Sequence, residues 1–248
     1  MQFTIITATY NNALTIEQCL LSILGQSIKN IEIIVVDGLS TDGTLDKINT
    51  LANTYANIKL ISEKDNGIYD ALNKGLSVAS GDIIGFVHSD DMLADHNILE
   101  KIQSCFEANT IDGVYGDLHY VKRLDTDQIV RYWRSCPFKQ SLLYKGWSPP
   151  HPTLYLKKSV YLKHGHFNLC YKISSDYDFM TRIFKDKQLN FWYLPQVITK
   201  MRVGGASNKN LKNILIKSYE DFKIIQKNNI GNVLTLLRKN TSKISQFF

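Results

Sequence analysis

The strongest constraint on the fold is an alternation, over residues 1–91, of short apolar runs rich in β-branched residues with amphipathic stretches. The apolar runs predict strands at 3–8, 31–36, 58–62 and 83–88, and the amphipathic stretches predict helices at 15–25, 44–54 and 68–79. Strands and helices in this order favour a mostly parallel, Rossmann-like central sheet with helices on both faces. The run Ile-Glu-Ile-Ile-Val-Val at 31–36 is typical of a strand buried on both faces.

Polar residues follow each of these four predicted strands. The clusters are Thr9-Tyr10-Asn11, Asp37-Gly38, Glu63-Lys64-Asp65 and Ser89-Asp90-Asp91. Open α/β sheets bind their ligands beyond the carboxyl ends of the strands, where these clusters would meet. The pattern therefore predicts a binding site on one rim of the sheet.

The regular alternation of strands and helices ends after residue 91. Longer strands are predicted there at 113–121, 153–156 and 189–199, with helices at 93–108 and 176–185. A chain of 248 residues suits one large domain. We therefore interpret 1–207 as one domain with two halves, 1–91 and 92–207, followed by a helical tail at 208–248.

The net charge of +6, from 29 basic and 23 acidic residues, is confined to that tail. Residues 208–248 hold eight basic and two acidic residues, and residues 1–207 hold 21 of each. A basic protein suggests nucleic-acid binding, but a neutral body with a basic amphipathic tail favours an anionic membrane surface instead. Alternatively the tail packs on the domain, which we expect for 211–225 more than for 233–248.

The remaining composition favours a protein of the cytoplasm, either free or peripheral to the membrane. The four cysteines form no CxxC pair and are expected to be reduced and buried. Met1-Gln2-Phe3 leads straight into a predicted strand, so no secretion signal is expected. No apolar run reaches the roughly 18–20 residues needed to span a bilayer.

Two of the polar clusters have both a chemical and a purely structural interpretation. Ser89-Asp90-Asp91 could hold Mg²⁺ or Mn²⁺ with a substrate diphosphate, or could cap the helix that is predicted to follow. Asp37 could accept hydrogen bonds from a base or ribose, whereas turn chemistry explains the glycines and Asp42 after it.

Four motifs in this order resemble glycosyltransferase family 2. They are Thr-Tyr-Asn at 9–11, Val-Asp-Gly-x-Ser-x-Asp-Gly-Thr at 36–44, Ser-Glu-x-Asp-x-Gly-Ile-Tyr-Asp-Ala-Leu-Asn-Lys-Gly at 62–75 and Ser-Asp-Asp at 89–91. The resemblance covers residues 1–207 and implies the GT-A fold and a metal-dependent, inverting enzyme that uses nucleotide sugars. It makes 1–91 the nucleotide-sugar half and 92–207 the acceptor half.

The resemblance assigns the following roles to residues of the first half. Thr9, Tyr10 and Asp37 would hold the uracil, Asp65 would lie near the nucleotide, Asp90 would contact the ribose or diphosphate, and Asp91 would bind Mn²⁺ or Mg²⁺. Two positions depart from the family pattern. Ala8 replaces a common proline, and Leu72 replaces a common arginine, which puts base contacts from that helix in doubt.

In the second half, Asp176 matches the catalytic base of the family's Glu-Asp element, with Ser175 in place of the glutamate. The structural alternative for Asp176 is a helix N-cap.

His151 resembles a histidine that recurs in related transferases before the strand predicted here at 153–156, and we assign it to the metal site. Arg202 precedes a Gly-Gly-x-Ser loop at 204–207 and would neutralise the diphosphate. The other histidines are expected to be structural.

The resemblance implies transfer of a hexose, glucose in a β-1,3 linkage, from a UDP-sugar to N-acetylglucosamine-diphospho-undecaprenol in O-antigen synthesis at the inner face of a bacterial membrane. UDP-galactose or another UDP-hexose is an alternative donor. The alternatives of other classes are a non-catalytic nucleotide-sugar-binding protein, a nucleotidyltransferase and a nucleic-acid binder. The predicted partners are therefore a UDP-sugar, a lipid-linked diphosphate sugar and an anionic membrane, but no nucleic acid.

Overall fold

The computed structural model of the chain describes residues 1–204 and 211–242. The strands are β1 (Phe3–Thr9), β2 (Ile31–Asp37), β3 (Ile58–Ser62), β4 (Ile83–Phe86), β5 (Asp91–Leu93), β6 (Gly113–Val121), β7 (Ile129–Trp133), β8 (Tyr155–Lys157) and β9 (Phe191–Arg202). The helices are α1 (Ile16–Leu24), α2 (Thr44–Thr54), α3 (Ile68–Val78), α4 (Ile98–Ala108), α5 (Lys158–His164), α6 (Ser175–Lys185), α7 (Leu211–Lys227) and α8 (Val233–Thr241).

The strands form one sheet in the order β3-β2-β1-β4-β8-β6-β9-β5, with β7 paired to β6. The four strands from the first half are parallel to one another. In the second half β6 and β9 are parallel, while β4–β8, β6–β8, β5–β9 and β6–β7 are antiparallel. The sheet is therefore parallel where the polar strand ends converge and mixed beyond β4.

Each face of the sheet carries its own apolar core, because alternate side chains of a strand point to opposite faces. Ile5 and Ile33 face a core with α1 and α4, and Ile6 and Ile34 face a core with α3, α5 and α6. Helices cover both faces, which confirms the predicted α/β fold class. This two-sided burial explains why the strand sequences are almost continuously apolar.

The predicted strands and helices of residues 1–88 are confirmed to within a few residues. The second half differs in three places. Asp91–Leu93 forms the short strand β5, which pairs with Thr199–Met201 of β9, rather than the start of a helix. Strand β7 and helix α5 were not predicted. The helix-cap interpretation of Ser89-Asp90-Asp91 is therefore wrong.

The two tail helices pack on the domain and on each other. The Glu220 carboxylate of α7 accepts hydrogen bonds from backbone groups just before α6. Asp221 of α7 forms a buried ion pair with Lys239 of α8, with 2.5 Å between the charged atoms. The predicted packing of the first tail helix is thus confirmed over its described part, and it extends to α8.

None of the helices within 1–204 and 211–242 is long and apolar enough to cross a bilayer. The predicted Gly-Gly-x-Ser loop lies, beyond Gly204, outside the described residues. The end of the predicted tail, 243–248, lies outside them too.

Candidate active site

The carboxyl ends of three neighbouring strands form one row at the rim of the sheet. Thr9 of β1 lies opposite Asp37 of β2, and Asp37 lies opposite Ser62 of β3. Gly38 then donates its N–H to the Thr9 carbonyl at 3.0 Å, which keeps the two chains together beyond the strands. The predicted convergence of polar strand ends is therefore observed on this half of the sheet.

Asp37 is fully buried and held by three donors. The backbone N–H and hydroxyl of Ser40 donate to its carboxylate at 3.0 and 2.5 Å, and the Ser62 hydroxyl donates at 2.9 Å. A carboxylate has about four acceptor positions, so about one is left for a ligand. Ser40 and Ser62 are functional candidates that the sequence analysis quoted in motifs without a role.

Tyr10, Asp37 and Asp65 meet around Gly38. A Cβ atom at Gly38 would lie 2.6 Å from Oδ2 of Asp65 and 3.4 Å from the Tyr10 ring. No residue with a side chain fits there without moving Asp65. Tyr10 is 62% exposed, so its ring face is available to stack on a base. The three residues predicted to hold the uracil, Thr9, Tyr10 and Asp37, are thus brought together with Asp65, which was predicted to lie near the nucleotide.

The loops after β1, β2 and β4 are joined by side-chain hydrogen bonds. The Ser40 hydroxyl accepts the Asn11 N–H at 2.8 Å, and the Asn11 side chain accepts the Thr41 N–H at 2.8 Å. Asn12 donates to the Ser89 hydroxyl at 2.6 Å, which connects the first loop to the Ser-Asp-Asp segment. These bonds position the whole rim before any ligand is bound.

Asp91 is completely buried, and neither of its carboxylate oxygens has a hydrogen-bond partner among the described residues. Burial, and then the neighbouring charge of Asp90, raise the pKa of Asp91 well above its usual range. The backbone N–H of Arg202, and then its positive charge, act on this pKa in the opposite direction, but more weakly. A buried carboxylate without partners is costly unless it is protonated or a cation binds it.

The chemistry of Asp91 fits a hard divalent cation. Mg²⁺ and Mn²⁺ prefer oxygen ligands, and Mg²⁺ is commonly held by one or two carboxylates together with substrate phosphates. Across the described part of the chain no three His, Cys, Asp or Glu residues are grouped as a metal site. Such a cation would therefore need oxygen atoms of the substrate to complete its ligands.

Two histidines lie side by side next to the Ser-Asp-Asp segment. His151 stacks on Phe86, and its ring centroid lies 5.9 Å from that of His88. Burial lowers the pKa of His151 to about 4, against the opposing charge of Asp176, so the imidazole is neutral at pH 7. Neutral imidazole is the form that binds metals. The charges acting on His151 are those of Asp176 and His88, so its pairing with Asp91 in a metal site stays a prediction.

His88 links the two halves of the site, although sequence reasoning had left it as structural. Burial lowers its pKa, while the charges of Asp90 and Asp176 both raise it. The predicted diphosphate contact and the predicted base therefore both lie within electrostatic range of His88. Its Nδ1 is buried and has no hydrogen-bond partner within the described residues.

Asp176 lies in the first turn of α6 and is half-buried. Ser174 occupies the N-cap position, so the interpretation of Asp176 as the N-cap is wrong. Oδ1 of Asp176 accepts the Tyr177 N–H at 2.8 Å and lies 3.0 Å from the Tyr69 hydroxyl. The sequence analysis missed Tyr69, which belongs to the Gly-Ile-Tyr-Asp motif.

Arg202 is buried, and its guanidinium binds protein oxygens. It donates to the carbonyls of Asp90 at 2.6 Å and Arg123 at 3.1 Å, and to the Gln18 side chain. Its positive charge acts on both Asp90 and Asp91. Arg202 thus holds the Ser-Asp-Asp segment in place, and its direct contact with a diphosphate stays a prediction.

Tyr120 of β6 is a further residue that the sequence analysis missed. Its pKa is raised mainly by burial and also by the charges of Asp91 and Asp176. The Arg131 guanidinium of β7 stacks on its ring at 4.8 Å from the centroid. The hairpin β6–β7 therefore carries a ring on which the charges of both Asp91 and Asp176 act.

Comparison with known proteins places this geometry in a family. The profile described as "Glycosyl transferase family 2" matches residues 4–171. A PGL/p-HBAD biosynthesis glycosyltransferase of Mycobacterium bovis is 30% identical over 216 residues, which cover 83% of this chain and 79% of that protein. The chondroitin synthase of Pasteurella multocida is 26% identical over 87% of this chain, but over only 22% of its own length.

Solved structures with under 25% identity share the fold. The chain superimposes on S. aureus TarS 1-349 in complex with UDP-GlcNAc with a TM-score of 0.70 at 18% identity, covering 92% of this chain and 65% of that one. For the mannosyltransferase PcManGT of Pyrobaculum calidifontis, in complex with GDP-Man and Mn²⁺, the TM-score is 0.66 at 20% identity, covering 91% and 63%. This chain therefore spans less than two thirds of either structure. The family match and the relatives together show that the chain is a glycosyltransferase that belongs to glycosyl transferase family 2.

Proposed function

We propose that this glycosyltransferase transfers a hexose from a UDP-sugar to a hydroxyl of a lipid-linked diphosphate sugar, with inversion at the anomeric carbon. The observation that carries the proposal is that the charges of Asp90 and Asp176 both act on His88. The proposed diphosphate contact and the proposed base therefore both lie within electrostatic range of one side chain. The two halves of the domain, 1–91 and 92–207, then serve the donor and the acceptor.

The donor half supplies the nucleotide contacts. Tyr10 stacks on the uracil, Asp37 accepts a hydrogen bond from it through its free acceptor position, and Thr9 and Asp65 line the same pocket. Asp90 contacts the ribose or diphosphate. These roles are supported by the grouping of these side chains around Gly38, by the exposed ring of Tyr10 and by the rigid loops that carry them.

The acceptor half supplies the base. Asp176 takes the proton of the acceptor hydroxyl, whose oxygen attacks the anomeric carbon from the side opposite the diphosphate. Tyr69 fixes Oδ1 of Asp176 through its hydroxyl. One displacement inverts the centre, so a UDP-α-hexose gives a β-linkage. Asp91, with His151 as a further ligand, would hold Mn²⁺ or Mg²⁺, and the cation would neutralise the charge that develops on the departing diphosphate.

For the donor and acceptor we propose glucose and N-acetylglucosamine-diphospho-undecaprenol, joined by a β-1,3 linkage. The proposal is supported by the motif resemblance at 62–75. The TarS structure is a complex with UDP-GlcNAc and the PcManGT structure a complex with GDP-Man, so the identity of the donor has to be tested directly.

A matched screen tests the proposed function. The full chain is incubated with UDP-glucose, UDP-galactose, UDP-GlcNAc or GDP-mannose and a synthetic N-acetylglucosamine-diphospho-lipid. UDP release and the anomeric proton coupling of the product are then measured. We expect a β-linked disaccharide with UDP-glucose only. An α-linked product would contradict the inverting mechanism, and release of UDP without a new glycoside would contradict this acceptor class.

The tail helix α8 presents a surface that suits an anionic membrane. Its apolar residues Val233, Leu234 and Leu237 are all more than 50% exposed, while Thr235 and Lys239 on the opposite side are buried. A helix that packs its polar side inward leaves its apolar side for another partner. Arg238 lies beside that exposed apolar side. We propose that this face places the enzyme at the inner face of the cell membrane.

Replacing Val233, Leu234 and Leu237 together with Ser is expected to weaken binding to vesicles containing anionic lipid by at least about tenfold, because each side chain contributes about 1.5–3 kcal/mol when fully buried. UDP binding should not change. Co-sedimentation measures the first quantity and calorimetry the second. Leu162→Ser, at an exposed apolar residue of α5, is the matched control. Equal vesicle binding by the triple variant and the control would refute this surface.

A further inference from the structure

The carboxylate of Glu220, in tail helix α7, binds three consecutive backbone N–H groups. Lys172, Ile173 and Ser174 donate to it at 2.8, 2.9 and 2.9 Å. Glu220 is only 7% exposed, so these charge-assisted bonds are shielded from water and strong. The three N–H groups lie immediately before α6, which Glu220 thereby fixes at its first turn.

The same segment is connected to Asp176 through one side chain. The Tyr69 hydroxyl lies 2.6 Å from the carbonyl oxygen of Ile173 and 3.0 Å from Oδ1 of Asp176. A hydroxyl carries one proton, so Tyr69 donates to only one of these oxygens at a time. The position of the Ile173 peptide therefore decides where the Tyr69 hydroxyl lies relative to the Asp176 carboxylate.

The neighbouring residues of α7 and α8 fix the other side of Asp176. Lys239 forms its buried ion pair with Asp221, and its ammonium lies 3.3 Å from the centre of the Tyr177 ring, next to Asp176 in the chain. The tail helices therefore contact the residues on both sides of the proposed base. None of these tail residues lies within the family match at 4–171.

We infer that Glu220 is a positioning residue for glycosyl transfer, acting on the base Asp176 through the Ile173 peptide and the Tyr69 hydroxyl. The inference rests on the proposed function, because it takes Asp176 as the base. The C-terminal helices are then part of the catalytic apparatus, in addition to any contact with a membrane.

Glu220→Gln keeps the size of the side chain but removes its charge and one acceptor oxygen. A single amide oxygen has two lone pairs, so at least one of the three N–H groups loses its partner. We expect kcat to fall about tenfold or more, since small displacements near reacting groups are costly, while UDP binding is unchanged. Amide hydrogen exchange at 172–174 should accelerate, while exchange in α1 and α2 should not.

Lys185→Met is the matched control. It removes another contact between α6 and the tail, the bond at 2.6 Å from Lys185 Nζ to the carbonyl of Asn228, which directly follows α7, away from the base. This variant should keep kcat within about twofold, because it disturbs no group that touches the reaction. An equal loss of kcat in both variants would mean general loosening of the tail and would overturn the inference.

Tyr69→Phe tests the other end of the connection. If Glu220 acts through Tyr69, the double variant should lose clearly less activity than the product of the two single losses. A double variant whose loss of activity equals the product of the two single losses would overturn the inference. Should Glu220→Gln not fold, Tyr69→Phe alone must lower kcat without changing UDP binding, and wild-type kcat there would overturn it.

Failure of the proposed function gives a different result. If Asp176→Asn turns over normally, the assignment of the base is wrong, whatever the Glu220 variants do. If Asp176→Asn is inactive while Glu220→Gln keeps wild-type kcat and wild-type exchange at 172–174, the base assignment survives and only the role of Glu220 is refuted.

Discussion

Replacing Asp176 with Asn is expected to lower turnover by about 10²- to 10⁴-fold, the range over which a positioned general base contributes. The amide keeps the shape of the side chain and can still accept the Tyr177 N–H, but it cannot take a proton from the acceptor. UDP-sugar binding should stay near its wild-type value, because the residues proposed to hold the uracil surround Gly38 in the other half of the site. UDP release and calorimetry with UDP measure the two quantities.

The matched control for this variant is Asp186→Asn, just beyond the C-terminal end of the same helix. Asp186 forms an ion pair with Lys163 at 2.8 Å and accepts a hydrogen bond from His164. Its replacement removes a carboxylate without touching the site, so turnover should remain close to wild type. Near-normal turnover by Asp176→Asn would refute Asp176 as the base.

Replacing Asp91 with Asn is expected to abolish stimulation by Mn²⁺ or Mg²⁺ and to lower turnover by several orders of magnitude. A cation held by this carboxylate would stabilise the departing diphosphate, and the variant could no longer hold it. Wild-type activity should be lost in EDTA and restored by either cation, while the variant should respond to neither. Full wild-type activity in EDTA would exclude the metal role.

Asp91→Asn should raise the stability of the fold, although it lowers activity. Because burial raises the pKa of Asp91, the folded protein favours the protonated carboxyl, and the stability that this gives is lost as pH rises above about 4. Without metal, Asp91→Asn should therefore unfold at a higher temperature than wild type at pH 7, and the difference should shrink towards pH 4. Asp46→Asn on α2 serves as the control. A pH-independent difference would contradict the unpartnered buried carboxylate.

The parallel half of the fold could be predicted because its information is local. Each strand there is a short run rich in apolar and β-branched residues and bounded by polar residues, and β1, β2 and β3 are each followed by an amphipathic helix. Strand β5 could not be predicted in this way. It has three residues, and it is a strand only because it pairs with β9, more than a hundred residues later in the chain.

The site was predictable to a similar extent. Thr9, Asp37, Asp65 and Asp90 lie at or just beyond the carboxyl ends of strands, and that position alone marks them as candidates. His88, Tyr69 and Glu220 gain their roles from contacts with residues far away in sequence. In the sequence, Glu220 looks like any other polar residue of an amphipathic helix. Its role cannot be recognised there because the three N–H groups that it binds lie 46 to 48 residues earlier.

The row formed by Thr9, Asp37 and Ser62 has a consequence for how such a chain can change in length. Side chains alternate between the two faces of a strand, so inserting or deleting one residue within β2 would move Asp37 to the opposite face. Such a change would turn the β2 side chains of each apolar core towards the other face of the sheet. It would also disrupt the proposed nucleotide pocket. We therefore expect length variation among homologues to be absent from β1–β3 and to concentrate in exposed connections such as 122–128. We therefore expect homologues that keep this fold to keep the number of residues within these strands as well.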